Sequence, residues 1–457
     1  MKIKIFVLMA WLWVGSLSAC LGQNLQRRPF LGVQVSPVAD SVARAAKLKS
    51  TDGAYVQRVV PNSTAASLKV QPGDVILRVN AIPVKNFLDV TVMARQLKTG
   101  ENVTLELARN GKTTTMKGKV QPMPFETDPN ADVVYGEVPL EGNRYARSIL
   151  KKPKGKGKYP AVFFIQGFNC GSLDNLPDQD PQRKLIDGLV EKGYAVYRMD
   201  KPGAGDSQGT QPCTEIGYKE EMAAFAAGLK QLKQHPNVDT DNVFLFGHSL
   251  GGNTAPLIAA EEKVKGIVVY GIAGKPWFEY LLEVYRDQRI MTGADHVQVD
   301  ADMRTLVPLL YEFMILKKTP EELAQNATYR PYLESHLDYD GKGHLYGRHY
   351  TFLQELQDMP MSKAWRDASA YTLAIYGEAD VAAIDPDGAQ QLANLVNNYY
   401  PGKGTYEFLP RTDHGFMEVG TMKEYLSSQE NPQQSPKFNQ KLVELVDAWM
   451  KDKIKRT

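Results

Sequence analysis

Ser249 stands where acyl chemistry would want a nucleophile. It sits in Gly247-His248-Ser249-Leu250-Gly251, a G-x-S-x-G pattern. Ahead of it run Val243-Phe244-Leu245-Phe246, apolar residues rich in β-branched and aromatic types that read as a buried parallel strand; residues 253–260 behind it read as a helix. A serine on a tight strand-to-helix turn has strained dihedrals and needs small neighbours, which accounts for a glycine two residues to either side. The helix start also leaves backbone N–H groups beside the hydroxyl, where negative charge develops as a nucleophile adds to a carbonyl.

Such a turn needs a sheet to hold it. Residues 161–165, 194–199, 266–270, 371–376 and 405–409 are further strand-like runs, and residues 184–192, 216–234, 386–396 and 441–451 are helix-like. Residues 133–150 hold two alternating strands around Glu141-Gly142-Asn143. This alternation demands a mostly parallel, doubly wound α/β sheet with helices on both faces. Between 275 and 370 the β pattern stops, and residues 278–289, 301–317, 320–325 and 350–357 read as helices; an insertion of that size is expected to be a cap over the sheet.

In this strand–turn–helix context the Ser249 motif resembles the nucleophile elbow of the α/β-hydrolase family. The resemblance implies an acid after a late strand and a histidine after the last one, in the order Ser, Asp, His. Asp380 ends Tyr376-Gly377-Glu378-Ala379-Asp380, with Glu378 and Asp385 as rivals on the same loop, and His414 lies in Asp413-His414-Gly415-Phe416. It also implies an oxyanion hole from the backbone N–H groups of Leu250 and Phe168, the latter in Gln166-Gly167-Phe168-Asn169. The turn Asp200-Lys201-Pro202-Gly203-Ala204-Gly205-Asp206-Ser207 is similar to the family's D-x-x-G-x-G-x-S and is assigned no chemistry. Cys170 and Cys213 follow two loops that the resemblance puts at the same end of the sheet. A disulfide between them is one expectation, and two unrelated buried thiols the other.

The first part of the chain is organised differently. Phe30-Leu31-Gly32-Val33, strand-like residues 53–60, the turn Gln71-Pro72-Gly73-Asp74 before an alternating strand, a helix over 87–98 and a hairpin at Asn110-Gly111 follow in order. This order resembles a PDZ domain of the bacterial exported-protease type, a small α+β unit. The resemblance implies that Phe30, Leu31, Gly32 and Val33 present backbone N–H groups to a peptide C-terminal carboxylate, unless the groove is filled by packing. The expected division is a signal peptide over 1–22, the PDZ domain over 28–121, a proline-rich linker over 122–131 and the hydrolase domain over 132–453 with its cap over 275–370.

With 457 residues, 43% hydrophobic and 23% charged, the composition is that of a folded multidomain protein. A net charge of +2 gives no basis for a nucleic-acid partner. The one dense basic run, residues 151–158 (KKPKGKGK), reads as a solvated hairpin loop. Residues 1–20 carry a Lys2/Lys4 n-region and a short apolar h-region, so export is expected, to the periplasm or as a bacterial outer-membrane lipoprotein. Leu17-Ser18-Ala19-Cys20 matches a lipobox, with Cys20 lipidated after removal of 1–19; ordinary cleavage near Gly22 is the alternative. Cap residues His336, His344 and His349 have no spacing that fixes a ligand set, so no metal or cofactor is expected, while Arg348 is the cap's candidate for an anionic substrate group. The resulting expectation is an exported serine hydrolase, of carboxylesterase type, acting on a small ester through an acyl-enzyme. The alternatives are a peptidase of prolyl-oligopeptidase type acting on short peptides, and a PDZ-based peptide-binding protein whose hydrolase fold is inert.

Overall fold

In the computed structural model, which describes residues 24–207, 209, 211–272, 274–428 and 436–455, the apolar runs form the middle of a ten-stranded sheet. The expected signal segment and Cys20 lie outside the described residues. Along Tyr159–Ile165, Ala161, Phe163 and Ile165 enter the core under one face while Val162 and Phe164 enter the core under the other. Both faces are covered, which is why the run is continuously apolar. The helices Tyr218–Gln234, Gly251–Glu261 and Asp387–Tyr399 cover the first face with Phe225, Leu229, Ile258 and Leu392. Pro181–Glu191 and Lys441–Lys455 cover the second with Leu185, Leu189, Val443 and Val446.

The spatial order of strands is Lys437–Phe438, Met417–Glu418, Gly404–Asp413, Tyr371–Ala379, Gly266–Tyr270, Val238–His248, Tyr159–Ile165, Ala195–Met199, Arg144–Pro153, Ala131–Leu140. From Gly404–Asp413 through Ala195–Met199 all neighbours are parallel; both margins are antiparallel. After Tyr159–Ile165 the chain crosses to Ala195–Met199 on one side, then returns to Val238–His248 on the other. The crossovers therefore part at the carboxyl ends of Tyr159–Ile165 and Val238–His248, leaving a crevice of the kind that holds ligands in open α/β sheets.

The segment after Tyr270 builds a helical layer with a core of its own. Leu306, Leu309, Leu310 and Phe313 of His296–Met314 meet Phe352, Leu353 and Leu356 of Tyr350–Gln357, and this core reaches Leu250 and Leu257 on the sheet side. The helix expected over 278–289 is divided: Trp277–Glu283 passes into a wider π turn at Val284–Gln288. Met361–Ala368, a helix the sequence reading did not mark, carries Trp365 and Ala368 into the core under the sheet.

The N-terminal unit is a six-stranded antiparallel sheet in the order Val33–Ser36, Ala54–Val59, Val75–Val79, Asn102–Arg109, Lys112–Lys119, with Ile82–Pro83 beside Val75–Val79. Asn110 and Gly111 both have positive φ, +51° and +72°, as a two-residue type I′ hairpin requires. The helix Phe87–Gln96 starts at a reciprocal cap between Asn86 and Asp89. The polar segment after this unit is tied down along its length. The Arg27 guanidinium donates to the Met123 and Pro124 carbonyls at 2.9 and 2.6 Å, and Glu126 pairs with buried Arg198. Arg27 also meets Asp174 at 2.6 Å and Asp206 at 2.5 Å, and Arg147 reaches Asp206 at 3.1 Å. The basic run corrects the sequence reading in part. Lys151 and Lys152 end the strand Arg144–Pro153 and are buried; Lys151 lies 2.6 Å from Asp128 and 2.5 Å from Asp187, and Lys152 lies 2.7 Å from Asp132. Only the Gly-rich remainder is solvated, because these carboxylates neutralise the first two cations.

Candidate active site

Ser249 follows Val238–His248 with φ +53°, a left-handed conformation that a side chain adopts at a cost. Two hydrogen bonds hold it there: its N–H donates to the Tyr270 carbonyl at 2.8 Å, and its carbonyl accepts from the Gly252 N–H at 2.8 Å. The turn is crowded. A Cβ on Gly251 would stand 2.1 Å from the Ile165 carbonyl oxygen, so the helix beginning there can approach the neighbouring strand only as glycine. Gly167, on the loop after Tyr159–Ile165, runs so close that its Cβ would lie 2.9 Å from the Ser249 Cβ.

Asp380 follows Tyr371–Ala379 and is fully buried. His414 follows Gly404–Asp413, and its Nδ1 lies 2.9 and 3.0 Å from the two Asp380 carboxylate oxygens. An ionised carboxylate only accepts, so Nδ1 carries the proton and Nε2 keeps its lone pair. Burial opposes charge on this imidazole, but Asp380 and then Asp413 outweigh it, and the His414 pKa is raised above the ordinary histidine value. The rivals of Asp380 are engaged elsewhere: Glu378 accepts from the Arg411 N–H at 2.7 Å and Asp385 from the Asp387 N–H at 2.8 Å. Ser249, Leu250 and His414 line one cavity of about 30 Å³ with Lys275, Trp277 and Tyr280 of the cap segment.

Residues to which the sequence reading assigned no role support this arrangement. His248 Nε2 donates to the His414 carbonyl at 2.8 Å, and burial depresses its pKa to about 3, so it is neutral. Tyr270 donates its hydroxyl to the Asp413 carbonyl at 2.6 Å. Lys201 and Glu221, both buried, meet behind the loop that carries Phe168. Glu221 had a legible signal: it falls on the apolar stripe of its helix with Tyr218 and Phe225.

Arg348 departs from expectation. It is 2% exposed, donates to the Phe168 carbonyl at 3.0 Å, pairs with Glu221 at 2.9 Å and stacks 3.8 Å over Phe352. Its charge is engaged inside the fold rather than offered to an anionic substrate. His344 bridges Glu215 and Asp340 at 2.7 and 2.8 Å, His336 meets Ser335 and His349 meets Thr351, each at 2.8 Å. Among the described residues no group of three or more His, Cys, Asp or Glu side chains is arranged to hold a metal.

Cys170 and Cys213 are joined in a disulfide, with Cα atoms 5.8 Å apart. Phe30, Leu31, Gly32 and Val33 line a second cavity of about 1150 Å³, facing Val90 and Ala94 of Phe87–Gln96. Its far wall is the disulfide with Gly203 and Ala204, so the groove is open and shared between the two parts of the chain. The Phe30 N–H donates to the Gln121 carbonyl at 2.9 Å and is not offered to the groove.

Residues 29–120 match the family model described as PDZ domain, and residues 182–331 match that described as serine aminopeptidase, S33. The chain joins a PDZ domain to an α/β-hydrolase fold. Esterase EstD of Thermotoga maritima is 32% identical over 137 residues, 30% of this chain and 31% of its own length. Periplasmic serine endoprotease DegP of Escherichia coli (strain K12) is 32% identical over 95 residues, 21% of this chain and 20% of its own length. The chain thus spans about a fifth of the endoprotease and under a third of the esterase. Among solved structures, Est1E of Butyrivibrio proteoclasticus aligns over 70% of this chain and 98% of its own, at 15% identity and a TM-score of 0.43.

Proposed function

We propose that this chain is an exported serine hydrolase that cleaves carboxylic esters through an acyl-enzyme. The observation that carries the reading is the pairing of buried Asp380 with His414 at the rim of the small cavity that Ser249 also lines. Ser249 Oγ forms the bond to the ester carbonyl carbon while His414 Nε2 accepts the hydroxyl proton; Asp380 holds the Nδ1 proton and favours the transient imidazolium. The N–H groups of Leu250 and Phe168 receive the oxyanion. Collapse of the tetrahedral intermediate breaks the bond to the alcohol, which leaves with the proton from His414. A water then repeats both steps on the acyl carbon and releases the acid and Ser249.

The match to a serine aminopeptidase model gives the peptidase reading its support. Against it, among the described residues no Asp or Glu lines the cavity to pair with a substrate α-ammonium. An aryl ester and an aminoacyl arylamide assayed in parallel decide the matter, and faster amide turnover would overturn the ester assignment. Failure of a fluorophosphonate to label the wild type, or equal labelling of Ser249→Ala, would overturn the serine-hydrolase reading and leave the peptide-binding one.

Export is supported by the disulfide, which persists in oxidising compartments, and by the periplasmic name of the endoprotease matched by the PDZ part. The mass of the mature N-terminal peptide tests lipidation of Cys20 against cleavage near Gly22. For the PDZ groove the same proposal assigns a peptide C-terminal carboxylate, received by the Leu31, Gly32 and Val33 N–H groups. Titration with free and amidated peptides checks it, and equal affinity for both would refute it.

A further inference from the structure

We infer that Lys201, Glu221 and Arg348 are positioning residues for the oxyanion hole: a buried cation–carboxylate–cation chain that fixes the peptide planes on both sides of Phe168. The inference rests on the serine-hydrolase reading above. The Phe168 N–H belongs to the same peptide group as the Gly167 carbonyl. A trans peptide is planar, with N–H and C=O pointing in opposite directions, so whatever grips the carbonyl aims the N–H. Lys201 Nζ grips it, at 2.6 Å. The next peptide plane is held as well, because Arg348 Nη1 donates to the Phe168 carbonyl at 3.0 Å.

The two grips are not independent. Glu221 gives one carboxylate oxygen to Lys201 at 2.8 Å and the other to Arg348 at 2.9 Å. All three side chains are at most 3% exposed. Each comes from a different element: Lys201 from the loop after Ala195–Met199, Glu221 from the first turn of Tyr218–Gln234, and Arg348 from the cap hairpin His344–Leu345/Arg348–His349. Arg348 is fixed further by the Ile216 carbonyl at 3.3 Å and by the Phe352 ring, on whose edge Phe168 packs. Burial lowers the Lys201 pKa and the Glu221 carboxylate at 2.8 Å opposes it, favouring the ammonium; on the Gly167 carbonyl that ammonium also polarises the peptide and strengthens its N–H as a donor. Loop, sheet and cap therefore meet behind one catalytic hydrogen bond.

The test uses the full-length protein with an aryl ester and a trifluoromethyl ketone of the same acyl group, which adds Ser249 to give a tetrahedral oxyanion. Loss of an oxyanion donor costs about 10²–10³ in kcat, so a misaimed one is expected to cost roughly 10–100-fold. Lys201→Met is expected to lose that much kcat with KM within threefold and the acid limb of the pH profile unmoved. Arg348→Lys keeps a cation for Glu221 and so protects the fold, but one ammonium cannot also span the Phe168 and Ile216 carbonyls. It is expected to lose about tenfold in kcat. Across both variants ketone affinity should fall in step with kcat/KM, which a general loss of stability would not produce. A correctly folded Lys201→Met or Arg348→Lys with wild-type kcat, or a kcat loss without loss of ketone affinity, overturns the inference. Absence of fluorophosphonate labelling in the wild type would instead overturn the hydrolase reading beneath it.

Discussion

Gly271 offers the sharpest test of the proposed catalytic geometry, because it touches His414 and Asp380 and has no side chain to take part in the chemistry. It follows the strand Gly266–Tyr270 with φ +71°, and a Cβ built there stands 2.7 Å from both Cε1 and Nδ1 of His414 and 2.9 Å from Asp380 Oδ2. Ordinary contact begins at 3.4 Å, so Gly271→Ala drives the ring back by about 0.7 Å. Room for that retreat is limited, since the His248 ring lies 4.9 Å from the His414 ring, centroid to centroid, and its Nε2 donates to the His414 carbonyl. A misplacement of about 1 Å costs on the order of 10²-fold in rate, or roughly 2.7 kcal/mol of barrier. The left-handed backbone adds roughly 1 kcal/mol of destabilisation that has nothing to do with His414. Gly402→Ala separates the two contributions, since Gly402 has φ +81° and nothing within 4 Å of its Cβ. Steady-state kinetics on an aryl ester with thermal denaturation of both variants is the assay. Gly271→Ala should lose about a hundredfold in kcat/KM, and Gly402→Ala only some stability. Gly271→Ala within threefold of wild type would refute the reasoning.

Further perturbations test other parts of the molecule. Asp380→Asn should cost roughly 10⁴-fold in kcat, since an amide favours the wrong His414 tautomer. The neutral base is lost as pH falls through the raised His414 pKa; without the carboxylate that raises it, the acid limb of kcat/KM should move to lower pH. Arg27→Met leaves Asp206 paired with Arg147 but takes the Arg27 charge from Asp174, whose side chain is fully buried, and should cost about 3 kcal/mol in denaturant unfolding. Reduction of Cys170–Cys213 releases a loop of 43 residues and should lower stability by up to about 4 kcal/mol by chain entropy; an unchanged denaturation midpoint in reductant would contradict this.

What the sequence disclosed follows from how local each signal is. The Ser249 turn is legible because strand, glycines and helix start lie within a dozen residues. Asp380 and His414 are legible because each follows a strand whose rank in the sheet can be counted. Arg348 was misjudged because its partner Glu221 is 127 positions away, and nothing near Arg348 says that its charge is already engaged. Lys151 and Lys152 look like a solvated cluster for the same reason, with Asp128, Asp132 and Asp187 brought to them only by folding. Met361–Ala368 was unmarked although Ala364, Trp365 and Ala368 share one face at helical spacing, a signal the sequence does carry.

The pinned segment between the two folded units has a mechanical consequence. A flexible tether would let the PDZ domain sample many orientations, and a bound peptide would reach the serine at an effective concentration set by tether length. Arg27, bonded at once to the Met123 and Pro124 carbonyls, Asp174 and Asp206, removes that freedom. The groove beside Gly32 and the cavity beside Ser249 have no lining residue in common, and the vector between them is fixed. A peptide held in the groove as proposed is therefore not swung into the cavity beside Ser249. The groove's far wall includes Cys170, two residues along the chain from Phe168, so an occupant of the groove presses on the loop that carries Phe168.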